Sequence, residues 1–152
     1  MGGVTLVQMS NTTLDPALVH AYRRTEFRVA DQGFAFTLRI DQHCPELIAC
    51  LAHFGVTEAA YLTAWNPRSA PTTMARNKAA QRALEAEVAS RGWRFLFGEG
   101  VGTDGSWAPE PSLLVVGISF EAACGLGRKY GQNAIVMARV DEGAVPKLVL
   151  LV

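Results

Sequence analysis

Between Ala59 and Val140 the chain switches between two hydrophobic periods, and this alternation limits the folds open to it more than any single motif does. "AAYLTAW" is a short apolar run of strand type. From Thr73 to Arg91 the spacing of Ala80, Leu84 and Val88 marks one face of a long helix that Gly92 ends. "WRFLFGEG" and "PSLLVVGIS" return to strand character. "FEAACGLGRKY" is helical, with Ser119 placed to cap it and Gly131 to stop it, and "NAIVMARV" is again a strand. The order strand, helix, strand, strand, helix, strand is that of a ferredoxin-like βαββαβ unit. An open sheet of another strand order accommodates the same elements.

The flanks extend this pattern. "TLDPALVHAYRRT" predicts a helix capped by Thr13 or Asp15, with Pro16 where proline is tolerated. "EFRVA" and "FAFTLRI" alternate about "DQG", the signal of a β-hairpin, and "PELIACLAHFG" is a helix from Pro45 to Gly55. "KLVLLV", reached through "DEGAVP", is a last strand. The predicted class is α+β: a mixed, largely antiparallel sheet whose βαββαβ middle follows an N-terminal helix and hairpin. At 152 residues, 49% apolar and 18% charged, the chain suits a single domain over 1–152, with residues 1–12 flexible. The glycine-rich "GEGVGTDGSWAPE" joins two strands, so it reads as a hairpin loop or lid and not as a phosphate-binding turn before a helix.

Fourteen basic residues balance fourteen acidic ones, so no net charge gathers polyanions, and a nucleic-acid partner is not expected. The longest apolar run is too short to cross a membrane, and the first residues lack the pattern of a signal peptide. Three cysteines without a CxxC pair suit reduced thiols, which places the chain in the cytoplasm. His43, Cys44, Cys50 and His53 raise the question of zinc, but their spacing matches no standard ligand set. Cys50 also shares an apolar helical stripe with Leu47, Leu51 and Phe54 and reads as core. The sequence names no cofactor.

Chain direction can be counted before strand order is known. If Tyr61 to Trp65 runs up, then Asn66, Arg68 and Ser69 lie at the top, and the next helix starts there with Arg76 and Asn77. The following strand rises, so Trp107, Glu110 and Ser112 share that edge, and the second helix of the middle unit climbs back to leave Gln132 and Asn133 beside them. The same count brings Asp41, Gln42 and His43 to the top. Sheet ends that meet helix N-termini are where α/β proteins hold ligands, anions above all. Asn77 lies on the Ala80, Leu84, Val88 stripe and should face the sheet, either serving a ligand or bonding the loop at Asn66.

Glu110, held between two prolines, could act as acid or base or could pair with Arg68 or Arg76. Ser112 sits in no nucleophile elbow. Trp107 could stack on a flat ligand or cover the core. Gly125 and Gly127, inside a helix, point to close packing on the sheet.

"AYLTAWNPRS", "RN", "WAPEPSLL" and "YGQNAIV", in this order and at these spacings, resemble a family of small bacterial proteins known as domain of unknown function 3293. The resemblance spans about Tyr22 to Val140 and implies that Asn66, Pro67, Asn77, Glu110, Ser112, Gln132 and Asn133 are shared residues. It implies no activity. "MARN" stands where the resemblance implies a more polar helix start.

Two readings of the top edge follow. In one it is a small-molecule or nucleotide-like site: Asn66 and Asn77 position the ligand, Arg68 or Arg76 pairs with its anionic group, Glu110 is acid or base, and Gln132 and Asn133 orient it. In the other the edge is structural, the protein is a non-enzymatic interaction module, and a partner or second copy adds to "KLVLLV".

Overall fold

The computed structural model describes residues 14–103 and 108–151. Helix α1 (Pro16–Arg24) and the hairpin β1 (Glu26–Asp31) and β2 (Phe34–Leu38) come first, followed by α2 (Pro45–Phe54). Then come β3 (Glu58–Leu62), α3 (Met74–Ser90), β4 (Arg94–Val101), β5 (Glu110–Val116), α4 (Phe120–Lys129), β6 (Ala134–Arg139) and β7 (Lys147–Leu150). The caps follow from the residues: Asp15 accepts from Ala17 N–H, Thr73 from Arg76 N–H and Ser119 from Ala122 N–H.

The seven strands form one α+β sheet in the order β2-β1-β4-β5-β3-β6-β7, with every neighbouring pair antiparallel. The expectation of a mixed sheet is corrected here. Each crossover through α3 or α4 carries the chain past one strand position, and a strand of opposite direction fills it: β5 between β3 and β4, β3 between β5 and β6.

Helices cover both faces. On one, Leu84 and Val88 of α3 and Ala123 and Leu126 of α4 pack on Leu113, Val115 and Met137. On the other, Leu47, Cys50 and Leu51 of α2 pack on Leu96, Leu114 and Val136. Strand alternation sends successive residues of β5 to opposite cores, which is why "LLVV", Leu113 to Val116, is an unbroken apolar run. Each leucine so enclosed contributes about 2 kcal/mol of transfer free energy. Among the described residues no helix is long and apolar enough to cross a membrane.

The sheet curls. Asp41, just past the outer strand β2, donates its N–H to Pro146 C=O at 2.8 Å, just before the other outer strand β7. Asp41 then pairs with Lys147 at 3.2 Å and Arg23 at 3.1 Å. Lys147 stands opposite Met137, away from the amino end of β6, so Asp41 is drawn from the edge where direction counting put it.

Two glycine expectations also change. Gly98 and Gly100 belong to β4 and not to a loop. At Gly98 a Cβ would stand 1.9 Å from Arg28 O, so the approach of β1 requires glycine there. A Cβ on Gly127 would meet Leu151 at 2.5 Å, which confirms close helix–sheet packing, whereas Gly125 has nothing within 4 Å.

Candidate functional site

The site begins where β3 runs out of partner. Its ladder with β5 ends at Leu62 opposite Leu113, and side chains take over the pairing. Thr63 donates its hydroxyl to Pro111 C=O at 2.7 Å and accepts from Trp65 N–H at 3.0 Å, while Gln81 Oε1 of α3 accepts from Ala64 N–H at 2.9 Å. Holding Ala64 leaves Gln81 Nε2 enclosed without a partner among the described residues, which costs about 1–3 kcal/mol.

The chain then enters a loop in which Asn66, Arg68 and Ser69 all take left-handed backbone, with φ of 44°, 60° and 58°. Each such non-glycine residue costs about 1 kcal/mol or more and persists only when its surroundings fix it. Arg68 N–H donates to Gly131 C=O at 2.7 Å. Gly131 itself has φ +72°, and a Cβ there would meet Pro67 Cβ at 2.9 Å, so glycine is required on both counts.

Asn77 supplies the main clamp. Only 4% exposed, it accepts from Asn66 N–H at 2.8 Å and donates through Nδ2 to Asn66 Oδ1 at 2.9 Å. Because backbone N–H groups can only donate, Asn66 N–H fixes which atom of Asn77 is oxygen, and Thr72 N–H, 3.3 Å from Asn66 Oδ1, fixes Asn66. Asn66 Nδ2 is thereby aimed at Glu110 Oε2, 3.1 Å away. Burial raises the Glu110 carboxyl above the ordinary carboxylate value, and the Asn66 amide works against that rise. Glu110 makes no ion pair with Arg68 or Arg76.

Gln132 and Asn133, 8% and 6% exposed, enter from the amino end of β6. Gln132 Nε2 donates to Trp65 C=O at 3.3 Å and Tyr130 C=O at 3.2 Å. Asn133 Nδ2 reaches Tyr22 Oη and Ser69 Oγ, both at 3.3 Å, and those two hydroxyls bond one another in a short contact. This ties α1, which has no buried residue of its own, to the Asn66–Ser69 loop.

These elements enclose an open-mouthed cavity of about 80 Å³. Phe27, Tyr61, Val136 and Leu148 give it an apolar floor, and Asn66, Glu110, Ser112, Gln132 and Asn133 give it a polar rim. Gly100, opposite Glu110 in the ladder, leaves room: a Cβ there meets nothing nearer than Thr25 Cγ2 at 3.8 Å. Tyr61 donates to Arg28 C=O at 2.7 Å, and burial pushes its phenol well above the ordinary value. Ser112 donates to Glu110 C=O at 2.9 Å, so its hydroxyl is a structural bridge as well as a lining group.

Of the residues read from the sequence, Asn66, Ser69, Glu110, Ser112, Gln132 and Asn133 line one cavity. Asn77 stands behind Asn66, Arg68 and Arg76 are exposed and line none of it, and Trp107 lies outside the described residues. Direction counting missed Tyr61, whose place two residues before Thr63 puts both on the same face. It also missed Tyr22, which nothing local assigns to this edge.

Residues 62–135 match the model of the family described as Protein of unknown function (DUF3293). Over this stretch, just under half of its length, the chain is similar to that family. The matched segment carries the clamp, Glu110, Gln132 and Asn133, whereas Tyr22 and Phe27 are supplied from outside it. No curated protein and no solved structure matches the chain.

Proposed function

We propose that this chain binds a small molecule in the cavity at the carboxyl end of β3, with Glu110 as its charged anchor and the group able to hold or release a proton. The observation that carries the reading is the chain of oriented amides, Asn77 to Asn66 to Glu110, which holds a desolvated carboxyl at the rim of an apolar cavity. A structural role for Asn77 alone accounts for the clamp but not for a carboxyl placed beside open space.

The size of the cavity bears on the ligand. About 80 Å³ receives a group of a few heavy atoms, so any larger ligand would leave its remainder outside, and a whole nucleotide is not supported. Short-chain amines, alcohols, amides and carboxylates, titrated into isotopically labelled protein, should include compounds that shift the resonances of Tyr61, Ser112 and Gln132. Gly100→Val, which fills the cavity from a position with open space, should abolish those shifts. If no compound moves these resonances in the wild-type chain, the reading fails.

A second reading, an interaction module assembling through a sheet edge, is favoured by β7, an outer strand on which Leu150 is 44% exposed. Light scattering that shows only monomer at high concentration would remove it.

A further inference from the structure

The binding reading leaves the class of ligand open, and the hydrogen-bond directions around the cavity narrow it. Most donors on the rim are already committed: both hydrogens of Gln132 Nε2 to backbone carbonyls, one of Asn66 Nδ2 to Glu110, and the Ser112 hydroxyl to Glu110 C=O. Gln132 cannot be turned over, because carbonyl oxygens only accept and its nitrogen must face them. No described residue donates to Gln132 Oε1 or to Glu110 Oε1, and both residues line the cavity. Glu110 is the only charged side chain among the described residues lining it.

From two acceptors without a described donor, Glu110 Oε1 and Gln132 Oε1, at a cavity whose one described lining charge is negative, we infer that the cavity takes a hydrogen-bond donor of positive charge, a primary amine or amidine carried on a short apolar body. This rests on the binding reading above. The ammonium or amidinium donates to Glu110 Oε1 and Gln132 Oε1, and the apolar body lies on Phe27, Val136 and Leu148. An anion would meet the carboxylate of Glu110 with no lining cation to offset it, which reverses the expectation drawn from Arg68 and Arg76.

Three probes of nearly equal shape separate the possibilities: n-butylamine, 1-butanol and n-butyrate, each titrated into the labelled full chain at neutral pH. Butylamine should bind most tightly, with butyrate about tenfold weaker or worse, and Glu110→Gln should bring butylamine down to the level of butanol. The spectrum of Glu110→Gln reports whether that variant is folded, and Glu110→Ala supplies a second removal of the charge. Butanol or butyrate binding as well as the amine, with shifts lost in Gly100→Val, overturns the amine assignment and leaves the binding reading intact. An amine preference that survives Glu110→Gln and Glu110→Ala also overturns it. If none of the three shifts cavity resonances, this inference falls, and the binding reading falls with it when the short-chain amides also shift none.

Discussion

Replacing Asn77 by alanine tests the clamp on which the site depends. The substitution removes two hydrogen bonds, Asn66 N–H to Oδ1 at 2.8 Å and Nδ2 to Asn66 Oδ1 at 2.9 Å. Each contributes about 1 kcal/mol net, and the Asn66 N–H left without an acceptor in a half-buried position costs about 1 kcal/mol more. Alanine's better helix propensity returns about 0.5 kcal/mol. The expected loss is therefore about 2.5 kcal/mol, which for a chain of this size lowers Tm by about 5–10 °C. Denaturant unfolding with an unchanged slope checks that the loss is one of native stability.

A cycle with Asn66→Gly, which keeps left-handed backbone accessible and the Asn66 N–H bond in place while removing the side-chain bonds to Asn77, Thr72 and Glu110, should show coupling to Asn77 of about 1 kcal/mol. The Asn66 amide lowers the Glu110 pKa, so loosening it in Asn77→Ala should move that carboxyl further up, as carboxyl-carbon NMR titration would read. Stability within about 0.5 kcal/mol of wild type would refute the clamp, because that is the range of a surface substitution.

Two further outcomes follow from the same geometry. Glu110 titrates above its unfolded value of 4.5, so its contribution to stability is fully present below that pH and is lost as pH rises through the native pKa. Glu110→Gln should accordingly gain on wild type as pH increases from 4.5, and a flat difference in Tm across that range would contradict the burial argument. Gly98→Ala places a methyl 1.9 Å from Arg28 O and 2.9 Å from Tyr61 Oη, so it should cost about 3 kcal/mol or more in calorimetry by parting β1 from β4; a neutral result would show that the two strands can separate freely.

The sequence by itself determined the elements and their directions, because hydrophobic period, caps and terminating glycines are local. Asp15 and Ser119 cap the helices that the sequence assigns them, and Asn66, Glu110, Ser112, Gln132 and Asn133 meet at one edge because counting reversals needs no knowledge of strand order. Tertiary structure decided the rest. The curl that ties Asp41 to Pro146 is a property of the whole sheet and could not be counted from chain reversals. Which way an exposed arginine or a helix N-terminal to the sheet finally lies is likewise set by packing between distant segments. Arg68 and Arg76 therefore fell outside the cavity while Tyr22 of α1 entered it through Ser69 and Asn133. Asn77 was legible as a sheet-facing amide, but only its bonds to Asn66 show that it acts on the site through Asn66.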